Sequence, residues 1–223
     1  MNVVITGTSK GIGLATAIKF RLQGHTVWGI DIEKASPALK LLSACDGHYK
    51  HFIADVSCRD SLPVLIDCDI LINNAGVQDE RLNIPVNLIG TVNCTEMYGL
   101  QPNIKSIVNV TSVSAHNGAE FPLYTASKGG VLSYTKWLAQ EVAKYGATAN
   151  SISPGGVITP MTADIWNDID KRLAVLQETL LGKWADAGEI AEWIYFISVV
   201  NKSMTAQDII IDNGETAKFN FIQ

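Results

Sequence analysis

The chain has little of what marks a disulfide scaffold, a metal-binding module or a membrane span. Its 223 residues include four cysteines and four histidines. Cys45, Cys58, Cys68 and Cys94 are scattered with no CxxC pair, which excludes a zinc ribbon or dithiol redox centre and predicts reduced thiols in a cytoplasmic protein. His25, His48, His51 and His116 have no ligand spacing, so no metal is expected. No apolar run approaches the ~18 residues that cross a bilayer. The stretch from Ile190 to Val200 is too short and carries Glu192. Positive charge is in deficit, with 17 Lys and Arg against 22 Asp and Glu and a net charge of −5, which argues against nucleic acid or an anionic membrane as partner. No repeat or low-complexity linker interrupts the sequence, and Met1 leads directly into an apolar run, a pattern that predicts no signal peptide.

What the chain does have is alternation. Short β-branched runs near 2–6, 26–31, 49–54, 69–73, 105–111, 147–152 and 207–212 alternate with helical patterns. This predicts a single α/β domain over 1–223, a doubly wound parallel sheet of the Rossmann type with helices on both faces. Ser36-Pro37 reads as an N-cap and first helical residue, Gly24 as a helix end, and Tyr145-Gly146 as the end of a long helix beginning near Tyr124.

Two places carry chemistry. The run Asn2–Thr6 leads into Gly7-Thr8-Ser9-Lys10-Gly11-Ile12-Gly13, after which Leu14, Ala17, Ile18 and Leu22 repeat at helical spacing. A strand, a glycine turn and a helix N-terminus together offer backbone N–H groups to a pyrophosphate. Asp31 ends the second expected strand about 20 residues later, where a carboxylate can accept from both hydroxyls of an adenosine ribose. It would repel a 2′-phosphate and so favours NAD; Lys10 in the turn argues the other way, for NADP. The second place is Tyr124-Thr125-Ala126-Ser127-Lys128. Residues four apart are neighbours on a helix. An ammonium about 4 Å from a phenol can lower its pKa by up to ~3 units before screening, toward the range of a general acid–base.

With these motifs in order, the chain resembles a short-chain dehydrogenase/reductase along nearly its whole length. Thr6-Gly7 with Gly11-Ile12-Gly13 resembles TGxxxGIG, Asn73-Asn74-Ala75-Gly76 matches NNAG, and Tyr124 and Lys128 match YxxxK. Asp55-Val56, Asn87, Ser112 after Val108–Thr111, Ser153-Pro154-Gly155-Gly156, and Asp212-Asn213-Gly214 resemble further family segments. The resemblance implies a catalytic set of Asn87, Ser112, Tyr124 and Lys128. Tyr124 would exchange the proton, Ser112 hold the substrate oxygen, Lys128 hold the ribose, and Asn87 anchor a water leading to solvent. It implies cofactor contacts from Gly7, Ser9, Lys10, Gly11, Ile12 and Gly13 in the turn, and from Asp31 and Ile32 after the second strand. Asp55 and Val56 would border the adenine, and Asn74, Ala75 and Gly76 would follow the fourth strand, with Tyr124 and Lys128 at the ribose. Pro154, Gly155, Val157 and Thr159 would close over the nicotinamide.

Against the family pattern, Ser57 to Asp67 has room for only about two helical turns and contains Pro63, and Val77 to Val86 can hold only an abbreviated helix. The expected activity is NAD(H)-dependent interconversion of a secondary alcohol and a ketone, with His116, Phe121, Met161 and Trp166 lining the substrate site and Trp184 able to close over it. Two alternatives stay open: an NADPH-dependent 3-oxoacyl-thioester reductase, and a dinucleotide-sensing regulator without turnover. A homodimer or homotetramer is implied by resemblance, with Trp137-Leu138 and Phe219-Asn220-Phe221 as candidate contacts.

Overall fold

The structure, a computed structural model, describes residues 1–119 and 121–219. Asn220 and Phe221, expected as contact residues, lie outside the described residues. Among the described residues, the nine strands are β1 (Asn2–Thr6), β2 (Thr26–Asp31), β3 (Tyr49–Ile53), β4 (Ile70–Asn73), β5 (Ser106–Val110), β6 (Thr148–Pro154), β7 (Val157–Ile158), β8 (Ala185–Asp186) and β9 (Asp208–Ile211). Seven of them form one parallel sheet in the order β3-β2-β1-β4-β5-β6-β9, and β7 pairs with β8 in a separate short ribbon. The α-helices are α1 (Gly11–Leu22), α2 (Pro37–Asp46), α3 (Gly90–Cys94), α4 (Ser114–Asn117), α5 (Pro122–Val142), α6 (Ala163–Trp166), α7 (Ile169–Gln177) and α8 (Ala187–Tyr195).

Strand side chains alternate between two buried layers, as period-2 geometry requires. Val3, Ile5, Ile70, Ile72, Val108 and Ile152 face Ala17 and Phe20 of α1 and Ile190 and Ile194 of α8. Val4, Ile30, Leu71, Ile107 and Ala149 face Leu138, Ala139 and Val142 of α5 together with Cys94 and Tyr98. Phe20 is fully buried, which alone contributes roughly 1.5–3 kcal/mol. Burial pushes the Cys68 and Cys94 thiols up to about 12, so both stay protonated packing groups.

The expected boundaries hold to within about two residues along the sheet, and Ser36 caps α2 by accepting from the Leu39 N–H. Two expectations need correction. The segment 57–67 is not two helical turns; it forms one 3₁₀ turn, Arg59–Ser61, because Pro63 forces Leu62 into extended backbone (φ −71°, ψ 134°). The abbreviated helix expected over 77–86 begins only at Asn83, and it opens with a π-helical stretch, Asn83–Ile89. This passes through α3 into a second π-helical stretch, Thr95–Gly99. The sheet order reverses beside β1, where β4 lies on the side opposite β2, and such a switch point opens a crevice at the carboxyl ends of the strands.

Candidate active site

The glycine turn occupies that crevice. Gly7 (φ +73°) and Gly11 (φ +57°) hold backbone conformations that side chains resist. Gly13 is needed for space alone, since a Cβ there would lie 2.0 Å from the Gly7 carbonyl oxygen. Asn74 fastens the turn to β4 by donating from its amide to the Thr6 carbonyl (2.9 Å), while the Asn74 and Ala75 N–H groups donate to the Thr6 hydroxyl. The first intrahelical bond of α1 is Leu14 N–H to the Lys10 carbonyl. The N–H groups of Gly11, Ile12 and Gly13 precede it, and among the described residues no side chain caps them. No acidic side chain stands in that first turn. An uncapped helix N-terminus at a glycine turn fits a bound pyrophosphate.

Asp31 ends β2 with its carboxylate anchored by the N–H groups of Ser9 and Glu33, both at 2.9 Å. A carboxylate has about four acceptor positions, so capacity remains for ribose hydroxyls. Ile32 beside it is exposed. Asp55 accepts from the Ser57 N–H and hydroxyl, and Val56 is buried against Gly90. These features together fit an adenine dinucleotide.

At the neighbouring strand ends the proton-transfer candidates converge. Asn87, Ser112, Tyr124 and Lys128 are all buried. A buried ammonium is costly unless hydrogen-bonded; Lys128 Nζ donates to the Val110 carbonyl at 3.0 Å and lies 5.7 Å from the Tyr124 ring centroid. Gly76 packs between them: a Cβ there would stand 3.3 Å from both Lys128 Nζ and Asn87 Oδ1. The π-helical stretch turns the Asn87 amide inward, where Oδ1 accepts from the Val77 N–H (2.8 Å) and Nδ2 donates to the Val77 carbonyl and to Ser127 Oγ. Ser112 Oγ accepts from the Ser114 N–H at 3.2 Å.

The outer wall is assembled from distant segments. Gly155 N–H donates to the Ile211 carbonyl and Gly156 N–H to the Glu215 carboxylate, so the chain after β9 holds the Pro154–Gly156 loop. Asp212 anchors that chain: burial pushes its carboxyl up, but bonds from Thr216 and Gly214 outweigh this and hold it below its usual range. Val157 is buried in the β7–β8 ribbon, and Thr159 caps the turn that carries Met161. Trp184 lies flat against Gly156 and stacks on Trp166 at 5.9 Å. Phe121 and Met161 are about half exposed. His116 bonds through Nε2 to Asp208 (2.8 Å) and Ser153 (3.2 Å), at the β9 edge of the sheet.

Asp208, Glu215, Ser127 and Glu33 were not singled out from sequence. The paired polar positions Ser151 and Ser153 in a buried strand were the available sign of Asp208, which accepts from both hydroxyls. Nothing local announces Glu215, because its partner lies 59 positions away.

The family model for short chain dehydrogenases matches residues 1–170. The chain belongs to the short-chain dehydrogenase family. It is therefore an oxidoreductase. This short-chain dehydrogenase is 32% identical over 237 residues to the 3-oxoacyl-[acyl-carrier-protein] reductase FabG of Thermotoga maritima, covering 95% of this chain and 96% of the relative. A solved 4-hydroxyisoleucine dehydrogenase mutant with NADH and succinate superposes with a TM-score of 0.88 at 27% identity, over 99% of this chain and 100% of that one. A protein of Agrobacterium tumefaciens with NADP bound gives a TM-score of 0.88 at 26% identity, over 97% and 96%. No described helix is long and apolar enough to cross a membrane.

Proposed function

We propose that this short-chain dehydrogenase interconverts a secondary alcohol and a ketone with NAD(H), using Tyr124 as the proton-exchanging group. The observation that carries the reading is the buried Lys128 ammonium, 5.7 Å from the Tyr124 ring and hydrogen-bonded to the carboxyl end of β5. When bound, the dinucleotide supplies or accepts a hydride at its nicotinamide. The N–H groups of Gly11, Ile12 and Gly13 would hold its phosphates, Gly7 and Ser9 would shape the turn through their bonds to the Ile30 carbonyl and the Asp31 carboxylate, and Asp31 would accept from its adenosine ribose. Tyr124 gives a proton to the substrate oxygen in reduction and takes it back in oxidation, with Lys128 as counter-charge. Ser112 donates to the same oxygen and holds it within reach of the phenol. Asn87, tied to Val77 and Ser127, holds the Lys128 side of the site for a proton path. His116, Phe121, Met161 and Trp166, with Trp184, bound the substrate side. Cytoplasmic location and a homodimer or homotetramer belong to the same reading, with Trp137, half exposed and stacked on Tyr134, as a contact residue.

The similarity to the Thermotoga reductase favours one second reading, an NADPH-dependent 3-oxoacyl-thioester reductase. A panel of secondary alcohols, ketones and 3-oxoacyl thioesters, each assayed with both dinucleotides by nicotinamide absorbance, separates the two. NADH-linked turnover of an alcohol or ketone supports the first reading. Turnover confined to thioesters with NADPH overturns it.

A further inference from the structure

Lys10 is the one cation of the glycine turn, and the structure does not leave it free. Its Nζ lies 2.7 Å from the Glu33 carboxylate, and both side chains are about half exposed. Glu33 follows Asp31 by two residues, so the pair stands beside the carboxylate that would receive the adenosine ribose.

The backbone of Glu33 is fixed from three sides. Its N–H donates to Asp31 Oδ1 (2.9 Å), and its carbonyl accepts from Ser9 Oγ (3.3 Å) and from His51 Nε2 (2.8 Å). A carbonyl can only accept, so His51 carries its proton on Nε2, and in the neutral ring Nδ1 accepts from the Tyr49 hydroxyl at 2.8 Å. Burial pushes Tyr49 up to about 12, which keeps that proton in place. The Tyr49 oxygen then accepts from the Thr8 hydroxyl at 3.2 Å. A directional chain therefore runs from Thr8, in the glycine turn, through Tyr49 and His51 to Glu33. Gly29 makes room for it, because a Cβ there would lie 2.4 Å from the Tyr49 oxygen and 2.6 Å from Thr8 Oγ1. A ribose-side turn held this firmly is more than a chance surface ion pair, although the Coulomb attraction between two exposed groups is itself small.

We propose that Glu33 is a specificity-determining residue: positioned by Asp31, Ser9 and His51, it engages Lys10 and keeps that cation from serving a 2′-phosphate. The inference rests on the dinucleotide reading above and deepens it. Asp31 would repel a 2′-phosphate directly, while Glu33 would hold the one cation of the glycine turn away from it. Lys34, which follows Glu33 directly, lines the separate cleft of about 580 Å³ between α2 and β3 together with Lys40.

The test compares NADH and NADPH affinities, read from nicotinamide fluorescence, for the wild type, Glu33→Ala, Lys10→Met and the double variant. Calorimetry with 2′,5′-ADP and ADP gives the same comparison without the nicotinamide. Glu33→Ala should bind NADPH and 2′,5′-ADP about tenfold tighter, the scale of one charge-assisted hydrogen bond. Its NADH affinity should stay within about twofold, and adding Lys10→Met should abolish the gain. Glu33→Gln, which removes the charge and keeps the volume, should move the same way. An unchanged NADPH-to-NADH ratio overturns the role of Glu33 while leaving the dinucleotide reading intact. A gain that survives Lys10→Met also overturns it, because the effect then comes from loss of the Glu33 charge itself and not from release of Lys10. Failure of the wild type to bind either dinucleotide overturns both.

Discussion

Replacing Gly13 with alanine perturbs the point on which the glycine turn depends. The new Cβ would lie 2.0 Å from the Gly7 oxygen, 2.4 Å from Asn74 Nδ2 and 2.7 Å from the Gly7 carbonyl carbon. Two of these atoms are backbone, and Asn74 is itself bonded to Thr6 and Gly7, so no flexible side chain can simply swing aside. Real Cβ atoms do not approach closer than 3.0 Å, so the first turn of α1 must move by about 1 Å from β1. Overpacking of this kind costs about 1–3 kcal/mol. At about 2–4 °C per kcal/mol for a domain of this size, the melting temperature should fall by about 2–12 °C. The same displacement carries the N–H groups of Gly11, Ile12 and Gly13 off their positions, and losing one bond to a charged phosphate weakens NADH about tenfold or more. Gly129→Ala is the internal comparison: it lies within α5, with nothing within 4 Å of its added Cβ. That substitution should raise stability by up to about 1 kcal/mol. Thermal melts of the apo protein and a fluorescence titration with NADH read both effects. A Gly13→Ala protein that melts within a degree of wild type and binds NADH unchanged would refute the tight strand–helix turn described here.

Two other perturbations reach different parts of the molecule. In Gly156→Ala the Cβ would lie 2.1 Å from Trp184 Cε2, so the indole must leave its stack on Trp166. Near-ultraviolet circular dichroism should change, with a stability loss of about 1–3 kcal/mol; an unchanged spectrum contradicts the packing. His25, packed on Phe20 and Tyr195, has its pKa held below the usual 6.5 by burial first, then by the N-terminal ammonium and Arg21, with Asp69 opposing. The folded state therefore takes up this proton less readily than the unfolded chain. The stability tied to a neutral His25 is complete above about pH 6.5 and is lost as pH falls from there toward the folded pKa. Urea melts across this range should show a decline that His25→Phe flattens, and an identical slope in both proteins counts against the burial argument.

The centre of the sheet was readable because β1 and β4 are short, nearly continuous apolar runs, Val3-Val4-Ile5 and Ile70-Leu71-Ile72, buried on both faces. The glycine turn, Asp31 and the Tyr124–Lys128 spacing were readable for a similar reason: their geometry is encoded within a few residues. What escaped depends on long-range partners. The π-helical turn at Asn87 is stabilised by bonds to Val77 and Ser127, and no local periodicity carries that information. The β7–β8 ribbon joins residues 28 apart in register, Val157 with Ala185, through an intervening pair of helices. Glu33 gave no signal on its own, because its backbone is held by a hydrogen-bond chain that runs from Thr8 through Tyr49 and His51 of β3. The partner of His116 was equally hidden, because its ring nitrogen bonds to Asp208, which lies 92 positions away.

The account stands on the proton-transfer role of Tyr124, and the most direct measurement compares wild type with Tyr124→Phe using the best substrate from the alcohol and ketone panel. The two proteins differ by a single oxygen atom. The account predicts that kcat/KM falls about 10²–10⁴-fold, while the NADH dissociation constant, read from nicotinamide fluorescence, stays within about threefold. A variant that keeps most of the wild-type turnover contradicts it.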